Sequence, residues 1–178
     1  MLSSRLKKVQ SGFSLIEILI SLIVLSIGLL GLGGLHLTSL QSTNNAHFRT
    51  VASIAATELA DRMRLNPAAV SDALYEGEVS KTTCASTTAK SCDGDNICSY
   101  TEAAAYDLRI SACGRTQSGE RSGGVFYDLP NASLSINCGL VNCESGVEHS
   151  IVIDWNEVDD ADEDDSEQTR SYELNFIP

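Results

Sequence analysis

Residues 13–37 form an apolar run that opens with GFSLIEILISLIVLSIG at residues 12–28 and contains one carboxylate, Glu17. Twenty-five residues at helical rise reach about 37 Å, more than the ~30 Å of a hydrocarbon core. The run is therefore expected to cross a bilayer as a helix with some tilt. It differs from a cleaved secretory signal, because no small-residue cleavage site closes it. Instead GLLGLGGLHLTSL at residues 28–40 grades into polar sequence, so the segment is expected to be retained. Arg5, Lys7 and Lys8 precede the run and the next cation, Arg49, comes well after it. The positive-inside bias then leaves the N-terminus cytoplasmic and the remainder outside.

An ionised carboxylate within a membrane costs about 2.5–3.5 kcal/mol on insertion scales. Glu17 must therefore be neutral, sit at an interface or have a partner, and no Lys, Arg or His lies near it in the span. One cation can be created. A cut after Gly12 gives Phe13 a new α-ammonium four residues from Glu17, close enough to pair within the helix or with a neighbouring copy. Gly28, Gly31, Gly33 and Gly34 cluster in the second half of the span. They suit close packing against other helices, and each also weakens a helix by about 1 kcal/mol relative to Ala, so a locally melted stretch is a second expectation.

Composition constrains the part of the chain beyond the span. The whole chain carries 12 Lys+Arg against 24 Asp+Glu, a net charge of -12 over 178 residues, and three of the cations precede the apolar run. Such an acidic balance excludes a nucleic-acid partner bound through bulk electrostatics. Cys84, Cys92, Cys98, Cys113, Cys138 and Cys143 all lie beyond the run. An even cysteine count outside the span points to an oxidising compartment and up to three disulfides, although six cysteines allow fifteen pairings. No tight C-x-x-C pair exists, which disfavours a zinc site.

KKVQSGFSLIEILISLIVLSIGLL resembles the N-terminus of type IV prepilins and the related pseudopilins: a short basic leader, Gly at the cut, Phe at the new start and Glu four residues on. The resemblance implies that a prepilin peptidase cuts between Gly12 and Phe13 on the cytoplasmic side and N-methylates Phe13, which keeps the charge. It also implies that Glu17 meets the terminal amine of an adjacent subunit during assembly. LLGLGGLHLTSLQSTNN and ATELADRMRLNP are similar to minor pilins of the type IV pilus modification family. A major pilin fits less well, since major pilins often place Pro where this chain has Gly34, and helix breaking here would rely on glycine.

Beyond the span, Leu37, Leu40, Phe48, Val51, Ala55, Leu59 and Met63 recur at helical spacing and predict one apolar face, interrupted by polar residues 39–45. Pro67 ends the pattern. Residues 67–99 read as loop held by cysteines. YTEAAAYDLRISAC, from Tyr100, predicts a short second helix, with Ala104, Leu108 and either Ala112 or Cys113 on one side. ASLSINC, HSIVIDWN and RSYELNF alternate as strands. Cys138 and Cys143, flanking GLVN, could staple a hairpin turn, with long-range pairings left open.

The expected fold is α+β, a pilin-like ladle with a long N-terminal helix on a small antiparallel sheet and a disulfide-stapled head. Its parts are a leader over 1–12, a transmembrane helix half over 13–37, an amphipathic half over 38–66 and a head over 67–178. DWNEVDDADEDDSE, residues 154–167, lacks the spacing and turn glycine of an EF-hand and reads as a solvated loop between edge strands. His36, His47 and His149 are scattered, and no G-x-S-x-G frames a nucleophile, so no catalytic residue, metal, cofactor or small-molecule substrate is expected. Glu58 and Arg62 read as a surface i,i+4 pair, and Trp155 as core packing.

The resemblance implies a minor pilin that helps prime type IV pili at or near the tip, with adhesion or motility as further roles. Its partners would be other minor pilins, the major pilin, the processing peptidase and, before assembly, the inner membrane. A minor pseudopilin of a type II secretion system is the alternative. A third class, an uncleaved anchor with an enzymatic head, predicts that Gly12→Val changes neither size nor function.

Overall fold

The computed structural model describes residues 12–85, 90–117, 120–139, 143, 146–158 and 167–178. Residues 1–11 of the expected leader, the tip of the Cys138–Cys143 turn and the acidic stretch 159–166 lie outside the described residues. The chain divides into two compact units, Met1–Asn44 and Asn45–Pro178. Helix α1, Leu15–Arg64, contributes to both.

In the first unit the helix carries Leu and Ile on every side, and all of them are exposed in the isolated chain. An all-round apolar helix needs lipid or other helices to cover it. It is long and apolar enough to cross a membrane, with a mean hydropathy of 2.6 in its best window. The hydroxyls along it are satisfied internally: Ser21 donates to the Glu17 carbonyl at 2.7 Å, Ser26 to that of Leu22, and Thr38 to that of Gly34 at 3.2 Å. The melted stretch entertained for the glycine cluster is not present, and Gly28, Gly31, Gly33 and Gly34 are all helical. Four glycine penalties of about 1 kcal/mol each are spread among Leu and Ile, which propagate a helix well. Nothing lies within 4 Å of a Cβ placed on any of the four, which leaves a smooth strip for a close neighbour.

The second unit is an α+β head. From Asn45 onward α1 buries Ala52, Ala56, Leu59, Ala60 and Met63, with Phe48, Val51 and Ala55 partly covered. Of the predicted face, Leu59 and Met63 are fully buried and Phe48, Val51 and Ala55 partly so, whereas Leu37 and Leu40 are exposed; Ala52, Ala56 and Ala60, outside the predicted set, complete the buried face. Alanine is too small to register as a hydrophobic stripe, yet it lets neighbouring side chains approach the helix backbone closely. After Pro67 opens α2, Pro67–Ser71, the segment expected to be loop instead supplies β1, Gly77–Val79, and a 3-10 turn, Lys81–Ala85. Helix α3, Tyr100–Cys113, matches the expected second helix. Its start is fixed by a capping box in which the Ser99 hydroxyl accepts from the Glu102 N–H and the Glu102 carboxylate accepts from the Ser99 N–H.

A two-stranded ribbon, β2 (Arg115–Gln117) with β3 (Glu120–Ser122), and helix α4, Val125–Asp128, follow. Gly124 joins them at φ +96°, and a Cβ there would lie 2.2 Å from the Gly114 nitrogen, so only glycine fits where α4 begins against the end of α3. The three predicted strands are β4 (Ser133–Cys138), β5 (His149–Val158) and β6 (Glu167–Phe176). They form an antiparallel sheet in the order β1-β4-β5-β6. Strand β5 is interior, so the acidic stretch after it leads from an inner strand to the edge strand β6 and does not join two edges.

Period-two alternation aims Leu134 and Ile136 of β4, and Ile151, Ile153 and Trp155 of β5, into one core, all with no exposed surface. Leu134 faces Ile153 and Ile136 faces Ile151 across the strands. The Trp155 Nε1–H donates to Glu157 at 2.8 Å, and the other Glu157 oxygen lies 3.4 Å from Arg170 Nε, so the buried indole and carboxylate are both partnered. These side chains and the inner face of α1 belong to a single cluster.

Three disulfides complete the head: Cys84–Cys113, Cys92–Cys98 and Cys138–Cys143. The first spans 29 residues and ties the 3-10 turn to the end of α3. On the loop-entropy account it contributes about 3.5 kcal/mol, against about 2 for either shorter pair.

Candidate functional site

Of the three residues singled out in the sequence, Glu17 lies in the first turn of α1 and the other two lie just ahead of it. Gly12, Phe13 and Ser14 precede the helix, and the Ser14 carbonyl accepts from the Glu17 and Ile18 N–H groups at 3.0 and 3.4 Å. The Gly12–Phe13 bond therefore lies ahead of the helix. Phe13 is 81% exposed. Glu17 stands one turn on, where the positive end of the helix dipole favours a carboxylate. Phe13, Glu17, Ile18, Ser21, Leu22 and Leu25 line one shallow notch on the helix surface, so the acid and the start of the apolar surface share a face. Among the described residues the Glu17 carboxylate meets no hydrogen-bond or ion-pair partner. Its chemistry is that of a carboxylate acceptor on a largely apolar stretch of helix.

The other polar groups noted in the sequence lie in the head. Arg62 does pair with Glu58, at 2.7 Å, but it also reaches Asp107 of α3 at 3.0 Å. Asp107 in turn accepts from the buried Tyr75 hydroxyl at 2.8 Å, and Asn66 donates to both Tyr75 and the Tyr100 carbonyl. Burial works against the Arg62 charge, yet the hydrogen bonds and charges of Glu58 and Asp107 together raise its pKa. Burial first, then the Asp107 charge, pushes the Tyr75 phenol up as well. This network ties α1, the turn after α2 and α3 together, and its groups are consumed by one another. Apart from the Glu58–Arg62 pair, no sequence motif marks it, because its bonds join residues 9 to 45 apart.

The structure keeps His36 and His47 on the exposed surface of α1. It places His149, only 1% exposed, at the start of β5 beside Glu76 and Cys138. Sequence spacing holds no hint of that cluster, since the three residues are joined by strand register alone.

Comparison with family models finds two matches, laid end to end. A prokaryotic N-terminal methylation motif covers residues 7–33, spanning Gly12, Phe13 and Glu17. The type IV pilin Tt1218 family model covers residues 34–109, from the end of the glycine cluster into α3. No curated protein and no solved structure matches the chain. The methylation motif implies processing by a prepilin peptidase and assembly with other pilins, and with the apolar helix it fits membrane anchoring followed by pilus incorporation. Pilins are structural proteins rather than enzymes. The paired matches, on a long N-terminal helix with an antiparallel-sheet head and disulfides, support a type IV pilin.

Proposed function

We infer that this chain is a minor pilin of the PilV kind, a type IV pilus modification protein that helps prime the pilus and enters it at or near the tip. The observation that carries the reading is the register of Gly12, Phe13 and Glu17 at the head of a helix that is apolar on all sides. A basic leader over 1–12 holds the N-terminus in the cytoplasm. The peptidase cuts before Phe13 and methylates it, leaving a permanent cation, while residues 13–37 hold the product in the inner membrane. Residues 38–66 and the head, 67–178, then face the periplasm, where the disulfides form; the charge asymmetry across the span and the six cysteines support this orientation.

On assembly, residues 13–37 exchange lipid for neighbouring pilin helices. Lipid and leucine are equally apolar, so burial alone does not choose the pilus. The Glu17 carboxylate, uncompensated in lipid at about 2.5–3.5 kcal/mol, supplies the difference by pairing with the Phe13 amine of an adjacent subunit. The type IV pilin match beyond the shared methylation motif favours this reading over a type II secretion pseudopilin.

The test is Glu17→Val. The variant is expected to be cut and methylated normally but to fail to enter the pilus complex and to restore few surface pili to a deletion strain. Normal piliation with Glu17→Val refutes the pairing mechanism. A deletion strain that keeps its pili but loses protein secretion points to the pseudopilin instead.

A further inference from the structure

We propose that Glu76, Cys138 and His149 form a zinc-class divalent metal site whose use is gated by the Cys138–Cys143 disulfide. The three residues stand at one end of the sheet. Glu76 immediately precedes β1, Cys138 ends β4, and His149 begins β5 directly opposite Cys138 in the register. Their ligand atoms all lie within 4.8 Å of one another. In a four-coordinate zinc site, bonds of about 2.0–2.3 Å put ligand atoms some 3.3–3.8 Å apart, so the set needs to close by about an ångström. Two of its three residues stand on paired strands and the third directly precedes one, which favours a site that holds its shape.

The hydrogen bonding points the same way. His149 Nδ1 lies 2.9 Å from the Val147 carbonyl, and a carbonyl can only accept, so Nδ1 carries the proton. In the neutral ring the lone pair is then on Nε2, which faces Glu76 Oε1 at 3.6 Å. With the ring neutral, two acceptors face each other there, and Glu76 Oε1 is itself buried with no hydrogen-bond partner among the described residues. The second carboxylate oxygen is already used, accepting from the Cys138 N–H at 3.1 Å. One oxygen anchored and one free, with a histidine whose far nitrogen is fixed by a backbone carbonyl, is the arrangement that orients metal ligands. A nitrogen, an oxygen and a thiolate sulfur make a donor set suited to zinc, with the fourth position left to water.

In the disulfide the Cys138 sulfur is not a thiolate, and two ligands remain. A dithiol reductant supplies two electrons to the Cys138–Cys143 bond. Two thiols form, and the reductant leaves as its own disulfide. The Cys138 thiol then releases its proton as sulfur binds the ion. Exchange with a disulfide oxidant, which takes the two electrons and leaves as a dithiol, closes the Cys138–Cys143 bond again and discharges the metal. The site is independent of the pilin reading, since it draws on no residue of the N-terminal helix.

The test needs no reductant. In the full mature chain in detergent micelles, handled without oxygen, Cys143→Ser leaves Cys138 as a free thiol while the other two disulfides stay closed. Titrated with Co2+ as the zinc probe, this variant is expected to bind one equivalent with a thiolate-to-cobalt charge-transfer band, and Zn2+ should displace it. The oxidised wild type should show no such band. Cys138→Ser, which frees Cys143 instead, should show none either. Glu76→Gln in the Cys143→Ser background should weaken Co2+ binding by at least the ~10-fold that even outer-shell partners cost, with the sheet intact by circular dichroism. Absence of the band in Cys143→Ser, or binding unchanged by Glu76→Gln, overturns the proposal.

Discussion

Asp107→Ala is the perturbation that most directly probes how the head is held to the end of α1. Asp107 is 8% exposed and accepts from two groups on different elements, the Tyr75 hydroxyl at 2.8 Å and Arg62 at 3.0 Å. Tyr75 is 1% exposed, so loss of its charged acceptor leaves a buried hydroxyl whose donor has nowhere to go, worth about 1.5–3 kcal/mol. Arg62 retains Glu58, and its side chain is 21% exposed, so water screens its loss to about 1 kcal/mol or less. The sum is about 1.5–4 kcal/mol. It is read by denaturant unfolding of the full chain in nonionic detergent, with the fluorescence of Trp155, the one tryptophan, as probe. Tyr75→Phe removes the same hydrogen bond from the other side, so the double variant should cost about 1–2 kcal/mol less than the two single losses added together. A loss below about 1 kcal/mol for Asp107→Ala, or strict additivity with Tyr75→Phe, refutes the network as a structural tie.

Two further outcomes concern the head. Because folding raises the Tyr75 pKa, the unfolded chain gives up this proton first; the contribution is whole below the ordinary tyrosine value of about 10 and is lost as pH rises beyond it. Unfolding midpoints followed into that alkaline range should fall less steeply in Tyr75→Phe than in wild type, and equal slopes would count against it. Ala56→Leu forces a large side chain into a fully buried position of α1 and should destabilise by about 1–3 kcal/mol. The same assay on Ile54→Ala, an exposed site on the same helix, should register a change within about 0.5 kcal/mol.

The long-range features of the head divide by whether they leave a periodic trace. Helix α3 is legible in the sequence because Ala104, Leu108 and Ala112 or Cys113 recur at helical spacing after Tyr100; the Ser99–Glu102 capping box that fixes its start is seen only in the structure. Strands β4 to β6 are legible because Ile, Leu and Trp alternate with polar residues over six to ten positions. Strand β1 and helix α4 are not, because three or four residues are too few to establish a period and exist only through the partners they meet. The inner face of α1 is legible in part: Leu59 and Met63 are found by their apolar spacing and are fully buried, whereas Ala52, Ala56 and Ala60 pack by being small and leave no such trace. At the N-terminus nearly everything needed is local. Gly12, Phe13 and Glu17 fall within six residues, so one helical turn converts their sequence spacing into geometry. Cys138–Cys143 is the pair that the sequence offers as a hairpin staple, whereas the other two disulfides, the Asp107 network and the Glu76–His149 encounter carry no local pattern that names their partners.

The central claim is that the Phe13 amine exists only after processing and is the cation that Glu17 requires. Mass spectrometry of the chain recovered from sheared surface pili tests it most directly. The account predicts a polypeptide that begins at N-methyl-Phe13, with residues 1–12 removed. Full-length chain with its leader intact in assembled pili would contradict it.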